Sequence, residues 1–425
     1  MKVLIITYYW VPSGGSGVQR WLKFVKYFRD FGIEPVVFTV ENPNYPIIDE
    51  SLQKDVPKGI EILRSPIWEP NNILSKVKKS STKTSAGFLE SNPKGVQKIL
   101  QYIRANYFIP DARKFWIDPS AKKIESYLKN NKVDAIITTG PPHSVHLIGL
   151  QLKKRLNVKW IADFRDPWTE IDYFHQLPLT KKSKAKHSAL EKEVLKAADI
   201  TSVVGETMKR SFQKYTQKIK VVTNGYDFEE DKSKGLLDSK FSITHIGLMN
   251  SDRNPKTLWK VLKELICENK QFAEDLEIKL IGKIAKEVNE ELKSYNFKNI
   301  TKIDYVPHSE IVKYQKSTQV LLLAVNKVPS AKGIITGKIF EYLQANRPIL
   351  AIGPEDGDLA EILRKTNSGV VVDFDDEVTL KLKIQEMYTK FKEGNLAVKS
   401  INITQYHRKE LTQQVSQIIK EIANS

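Results

Sequence analysis

Thirteen short apolar runs, separated by stretches with helical periodicity, constrain this chain more than any other feature. The first set is Lys2 to Tyr8, Pro35 to Val40, Ile60 to Leu63, Val133 to Thr139, Val158 to Asp163, Asp199 to Val204 and Ile219 to Thr223. The second is Ser242 to Gly247, Leu276 to Gly282, Ile300 to Val306, Gln319 to Val325, Pro348 to Gly353 and Gly369 to Asp373. Each is strand-sized and apolar on both faces, and most are followed by an amphipathic pattern such as Val18, Trp21, Leu22, Val25 and Phe28. Strands buried on both faces and alternating with helices form a parallel, doubly wound sheet. The prediction is an α/β chain of two doubly wound domains facing each other across a cleft, with ligands at the C-terminal ends of the strands.

A length of 425 residues suits two domains of roughly 200 residues each. The first is predicted over 1–226, the polar segment 227–240 is the linker, and the second domain spans 241–401. A closing helix within 402–425 is expected to pack back on the first domain. The longest apolar runs, such as Val320 to Val325, fall far short of the roughly 20 residues that span a bilayer. The run Met1 to Pro12 is interrupted by Tyr8, Tyr9 and Trp10 and leads into glycines, unlike a secretory signal. The reading is a cytoplasmic protein. A single cysteine, Cys267, excludes an internal disulfide and argues against a cysteine metal site.

The net charge of +17 is uneven. Residues 71–132 hold 13 Lys/Arg against 4 Asp/Glu, whereas residues 241–425 hold 27 against 24. A basic first half suits nucleic acid, an anionic membrane or a diphosphate substrate, or is simply solvated lysine. No recognised nucleic-acid module accompanies it, and nucleic acid is not expected as a partner. Between Val96 and Trp116, Lys98, Arg104, Arg113 and Lys114 are interleaved with Ile99, Leu100, Tyr102, Ile103, Tyr107 and Phe108. Such a mixture suits an anionic membrane interface, or an ordinary helix packed on its own domain.

Several strand ends carry polar chemistry. Thr336-Gly337-Lys338-Ile339-Phe340-Glu341 reads as a helix start with a lysine and, one turn in, a carboxylate. Such a start suits a diphosphate, and the carboxylate suits a ribose diol. Arg253, in the loop after the first strand of the second domain, is placed either to bind a diphosphate bidentately or to cap a helix. The glycine loop with Gly14 and Gly15 lets backbone amides approach a phosphate or sugar, or is only a tight turn. The loop Gly140 to His146 offers His143 at its apex for a sugar hydroxyl or a proton. Asp163, Arg165 and Asp166 end another strand, either as a self-satisfied ion-pair network or as ligands of acceptor hydroxyls. Asp373-Phe374-Asp375 has the spacing of a metal-binding pair but closes a late strand, far along the chain from the other candidates; no metal is expected.

Together these segments resemble the retaining glycosyltransferases of family 4, with the two-Rossmann GT-B fold. The resemblance runs over essentially the whole chain. It is most specific at the glycine loop, Val222 to Asp227, Gly247 to Arg253 and Lys338 to Ala351. Gly140 to Ser144 and Ala162 to Trp168 are similar to a bacterial branch of cell-surface polysaccharide enzymes. The resemblance implies metal-independent transfer of a sugar from a nucleoside diphosphate donor to a glycan or lipid-linked acceptor, with front-face displacement and no separate cofactor. It assigns His143, Arg253, Lys338 and Glu341 to catalysis. Gly14, Gly15, Asn250, Val306, Pro307, Gly333, Thr336 and Gly337 go to the donor, and Asp163, Arg165 and Asp166, with loops in 65–120, to the acceptor. In members acting on lipid-linked acceptors the first domain faces the bilayer, which implies peripheral contact with the inner face of the membrane. Two positions depart from the family. Leu248 stands where a family arginine binds diphosphate, a charge Lys338 would replace. Gly333 stands where the first of two family glutamates contacts the donor sugar. A nucleotide-sugar epimerase, or a catalytically silent sugar-nucleotide-binding subunit, are the alternative readings.

Overall fold

The structure is a computed structural model that describes residues 1–69, 95–227, 236–304, 306 and 308–424. Two compact units are formed. The first is Met1–Gly225 together with the segment from Arg408 onward, and the second is Tyr226–His407. Residues 228–235, part of the segment read as a linker, lie outside the described residues, as do residues 70–94 and Pro307.

In the first unit, β1 (Lys2–Thr7), β2 (Glu34–Val40), β3 (Glu61–Ser65), β4 (Ala135–Gly140), β5 (Trp160–Phe164), β6 (Ile200–Val203) and β7 (Ile219–Val221) form one sheet. Their order is β3-β2-β1-β4-β5-β6-β7, and every pairing is parallel. The second unit holds β8 (Phe241–Ile246), β9 (Leu276–Ile281), β10 (Ile300–Ile303), β11 (Val320–Ala324), β12 (Ile349–Ile352) and β13 (Gly369–Val372). They run in the order β10-β9-β8-β11-β12-β13, again all parallel. All thirteen strands lie where the apolar runs predict them. The order reverses beside β1 in one sheet and beside β8 in the other. Loops after those strands therefore sit at the switch points where such sheets bind ligands.

The helix Arg408–Ala423 belongs to the first unit by its packing. Leu411, Val415, Ile418, Ile419 and Ile422 recur at helical spacing and are buried with Val18, Trp21, Phe24 and Val25 of the helix Ser16–Tyr27. Burying five such side chains contributes on the order of 10 kcal/mol at most. Arg408 fastens the start of this helix, donating from Nε to the Gly225 carbonyl (3.0 Å) and from a terminal nitrogen to the Gln19 carbonyl (2.8 Å).

Candidate functional site

The loop after β8 is where the second unit gathers cations. Gly247 has φ +103°, and a Cβ there would lie 2.7 Å from Lys338 Cε and 2.9 Å from its Nζ. The lysine side chain thus occupies the space a larger residue would take. From there Nζ lies 3.2 Å from His245 Nε2 and 3.4 Å from the Leu248 carbonyl. Arg253 reaches that same carbonyl at 3.4 Å and donates from Nε to Asn326 Oδ1 at 2.7 Å. Two cations 85 positions apart in sequence therefore meet over one backbone oxygen.

Crowding leaves its mark on protonation. Partial burial and the neighbouring Arg253 push Lys338 down to about 7, with Glu341 opposing them. His245 is buried on β8; burial, then Lys338 and Arg253, hold its imidazole well below the usual range, so it is neutral. Its Nδ1–H faces the Leu322 carbonyl at 3.3 Å, which leaves the Nε2 lone pair for Lys338. Glu341 lies one turn beyond Lys338 on the helix Lys338–Gln344 and accepts from Gln315 at 3.5 Å. The chemical character of this corner is a concentrated positive charge with a carboxylate beside it, suited to a polyanion that also offers hydroxyls.

Substituting Gly247→Ala should disturb this corner directly. The new methyl displaces the lysine and strains a backbone in the left-handed range by about 1–2 kcal/mol. The expected result is weaker nucleotide binding with a modest fall in melting temperature; unaltered binding would show that Lys338 does not depend on the Gly247 niche.

Other residues expected at the donor take different roles. Asn250 is a cap: its Oδ1 accepts from the Arg253 amide at 3.0 Å, setting the turn Ser251–Arg253 that aims the arginine. Val306 is buried in the core with Ile246, Ile281 and Phe340, so its side chain supports the loop instead of meeting a ligand. Gly333 closes the short turn Ala331–Gly333, donating to the Ser330 carbonyl at 3.0 Å. The helix start offers fewer free amides than its sequence suggests. Ile339 donates to the Thr336 carbonyl (3.1 Å) and Phe340 to the Gly337 carbonyl (3.2 Å), and the helix has only 7 residues. Side-chain cations, more than amides, make this corner positive. Asp375 forms an ion pair with Lys327 at 2.6 Å.

In the first unit the largest correction concerns Asp163. It is fully buried, and its oxygens accept from Arg20 (3.0 and 3.4 Å), Trp21 Nε1 (2.6 Å) and Thr139 Oγ1 (2.9 Å). Arg20 also donates to the Val222 and Thr223 carbonyls, at 2.8 and 2.7 Å. Asp163 therefore ties the first helix to the sheet and to the end of the unit; it does not reach an acceptor. Arg165 likewise spends its guanidinium on the carbonyls of Gly140, Pro141 and Gly17. It holds the His143 loop and the glycine loop together. Asp166 is exposed. Gly14 donates to the Ile47 carbonyl at 2.9 Å, and a Cβ there would lie 2.8 Å from Ile47, so close packing explains that glycine. Gly15 is exposed, with φ +82°.

His143 is buried and stacked on Trp168, with ring centroids 4.8 Å apart and planes within 3°. Its Nδ1 is buried without a hydrogen-bond partner, and burial holds the ring well below its usual pKa. The ring is neutral, so its chemistry is hydrogen bonding and polarisation and not that of a standing cation. His245, Asn326 and Trp168 escaped the reading of the sequence. Their signals, a histidine inside an apolar strand, an asparagine after one and a tryptophan beside an acidic loop, are common in ordinary cores.

Residues 84–230 match the model of the family described as Glycosyltransferase Family 4. A comparison with curated proteins finds no match. Among solved structures, the chain is similar to the lipopolysaccharide outer core galactosyltransferase WaaB in its apo form. Identity is 11%, coverage 99% of this chain and 100% of that one, and TM-score 0.59. It is also similar to the N-terminal domain of Candida albicans trehalose-6-phosphate phosphatase, at 12% identity, 100% and 96% coverage and TM-score 0.63. A putative UDP-N-acetylglucosamine 2-epimerase from Listeria monocytogenes has TM-score 0.54 at 10% identity, with 99% and 96% coverage. At such identities the likeness speaks for the fold. The chain is a protein of GT-B fold whose residues 84–230 carry the glycosyltransferase family 4 match.

Proposed function

We propose that the protein is a retaining glycosyltransferase that moves a sugar from a nucleoside diphosphate donor to a glycan or lipid-linked acceptor of a cell-surface polysaccharide. The observation that carries this reading is the convergence of Arg253 and Lys338 on the Leu248 carbonyl, with Glu341 one turn further along. The pair supplies two positive charges to the diphosphate, and Glu341 takes the ribose hydroxyls. Charge developing on the leaving phosphate is neutralised by these side chains without a metal ion. The leaving phosphate oxygen takes the proton of the attacking acceptor hydroxyl, which gives retention by front-face displacement. His143, neutral and held flat by Trp168, offers a hydrogen bond to the donor sugar. Asp166 and the loops of the first unit take the acceptor.

A hydrolysis and thermal-shift screen over UDP-, GDP- and ADP-sugars tests the reading without knowledge of the acceptor. Slow release of nucleoside diphosphate and stabilisation by one nucleotide class are expected. A sugar changed in configuration with no acceptor present would point to an epimerase, and binding without any turnover across acceptors to a silent subunit.

The same reading places the protein in the cytoplasm, against the inner face of the membrane. No helix among the described residues is long and apolar enough to cross a bilayer. On the helix Val96–Tyr107, however, Ile99, Leu100, Tyr102, Ile103 and Tyr107 are exposed. Trp68 and Phe115, also exposed, pack edge to face at 4.9 Å, and Lys114 Nζ lies 4.9 Å from the Phe115 ring. Aromatic and aliphatic groups among lysines suit the boundary of an anionic bilayer. Sedimentation with phosphatidylglycerol vesicles should therefore exceed that with phosphatidylcholine and fall with salt. The double substitution Ile99→Glu and Ile103→Glu should abolish most of it. Equal sedimentation of wild type and variant would remove this part of the proposal.

A further inference from the structure

His245 has no role in the reading above, yet it is the group closest to the lysine that reading depends on. It sits on β8, fully inside the sheet, between Thr244, which bonds Thr318 at 2.6 Å, and Ile246, whose amide donates to the Tyr342 hydroxyl at 3.1 Å. With Nδ1–H turned to the Leu322 carbonyl, Nε2 is presented at the strand end as an acceptor, and Lys338 Nζ is its neighbour at 3.2 Å. Gly247 keeps the space open and the Leu248 carbonyl completes the seat. The groups facing Lys338 are therefore His245 from β8, Arg253 from the turn Ser251–Arg253 and Glu341 from its own helix. Only Glu341 is negative, and Arg253 opposes a second positive charge in the empty site.

We propose that His245 is a positioning residue that seats Lys338 for a diphosphate through its Nε2 lone pair, and that a nucleotide sugar binds there with uptake of one proton onto Lys338 Nζ. The proposal rests on the donor site described above. The proton comes from solvent: in the empty site the amine sheds it easily beside Arg253, and an incoming diphosphate restores the counter-charge that keeps it. The effect has a direction. With Lys338 titrating at about 7, uptake is nearly complete above that pH and nearly absent below it.

Calorimetric titration of the wild-type chain with UDP-glucose, GDP-mannose and ADP-glucose, in buffers of different ionisation enthalpy, tests this. A sugar diphosphate avoids the terminal phosphate that itself titrates near neutrality. The wild type is expected to take up close to one proton at about pH 8 and close to none at about pH 6. His245→Phe, which removes the acceptor, should weaken binding about tenfold at the higher pH and much less at the lower, since it makes Lys338 harder to charge. His245→Gln, which keeps an acceptor oxygen, should recover most of the loss. Binding with no proton uptake at about pH 8 overturns the proposal and leaves the donor site standing. So does a loss in both variants that is equal at the two pH values, which a purely structural histidine would give. If His245→Phe does not fold, the wild-type proton count and the glutamine variant still decide. Failure of all three sugar nucleotides to bind the wild type overturns the donor site itself.

Discussion

Lys338→Ala should raise the dissociation constant of the preferred sugar nucleotide by roughly 30- to 1,000-fold, which corresponds to about 2–4 kcal/mol. The loss is large because Lys338 supplies one of the two side-chain cations that meet at the Leu248 carbonyl, and Arg253 alone is left to the diphosphate. The backbone amides at the helix start are partly consumed by the Thr336 and Gly337 carbonyls. Position 248 is a leucine that offers only its carbonyl. Stability should not fall with affinity. Partial burial and Arg253 disfavour the ammonium in the empty site, so its removal relieves a cost. Lys338→Arg should rescue poorly, because the niche over Gly247 is shaped to a single chain of methylenes. Calorimetry with thermal melts on the same samples checks both halves. An unchanged dissociation constant would separate Lys338 from the donor.

Asp163→Ala should be the most damaging single change to the first unit, costing about 3–5 kcal/mol. It strips the buried Arg20 of its carboxylate and leaves Trp21 Nε1 and Thr139 Oγ1 without their acceptor. The calorimetric transition of that unit should drop by about 10 °C. Adding Arg20→Met should cost less than the sum of the two single changes, since the second removal leaves no buried charge to strand. The pH dependence follows from the sign of the shift. Burial pushes the Asp163 carboxyl up, but Arg20 and the donors from Trp21 and Thr139 outweigh it and leave the group below the usual carboxylate range. Its contribution is thus present above the unfolded value of about 4 and lost as pH falls through the lower folded value. An intact melting temperature in Asp163→Ala would return the residue to the acceptor.

The thirteen strands were legible because parallel strands covered on both faces must be apolar throughout, and such runs survive in sequence as plain blocks. Arg253 stood out in the sequence for its loop beyond an apolar run, and Lys338 and Glu341 for a glycine-led helix start with a carboxylate one turn in. What the structure adds is that Arg253 and Lys338 meet at the Leu248 carbonyl. What could not be read were partners across long separations. Asp163 stayed open between an ion-pair network and an acceptor ligand because Arg20, its counter-ion, lies 143 positions earlier in the chain. His245 drew no reading of its own because Lys338, its neighbour in the structure, lies 93 positions later. At Val306 and Gly14 a loop position predicts access, but whether a side chain turns to the core or a neighbour crowds it is decided by packing. The short turn that opens the helix Lys338–Gln344 also hides from periodicity, which cannot tell a full helical turn from a tightened one.

In the proposed donor site one diphosphate is held jointly by Arg253 and Lys338. A crystal structure of the chain with UDP, GDP or ADP, whichever the screen selects, tests it most directly. Phosphate oxygens are expected within hydrogen-bonding distance of both side chains, and ribose hydroxyls on Glu341. A nucleotide bound elsewhere, or one whose phosphates touch neither Arg253 nor Lys338, would contradict it.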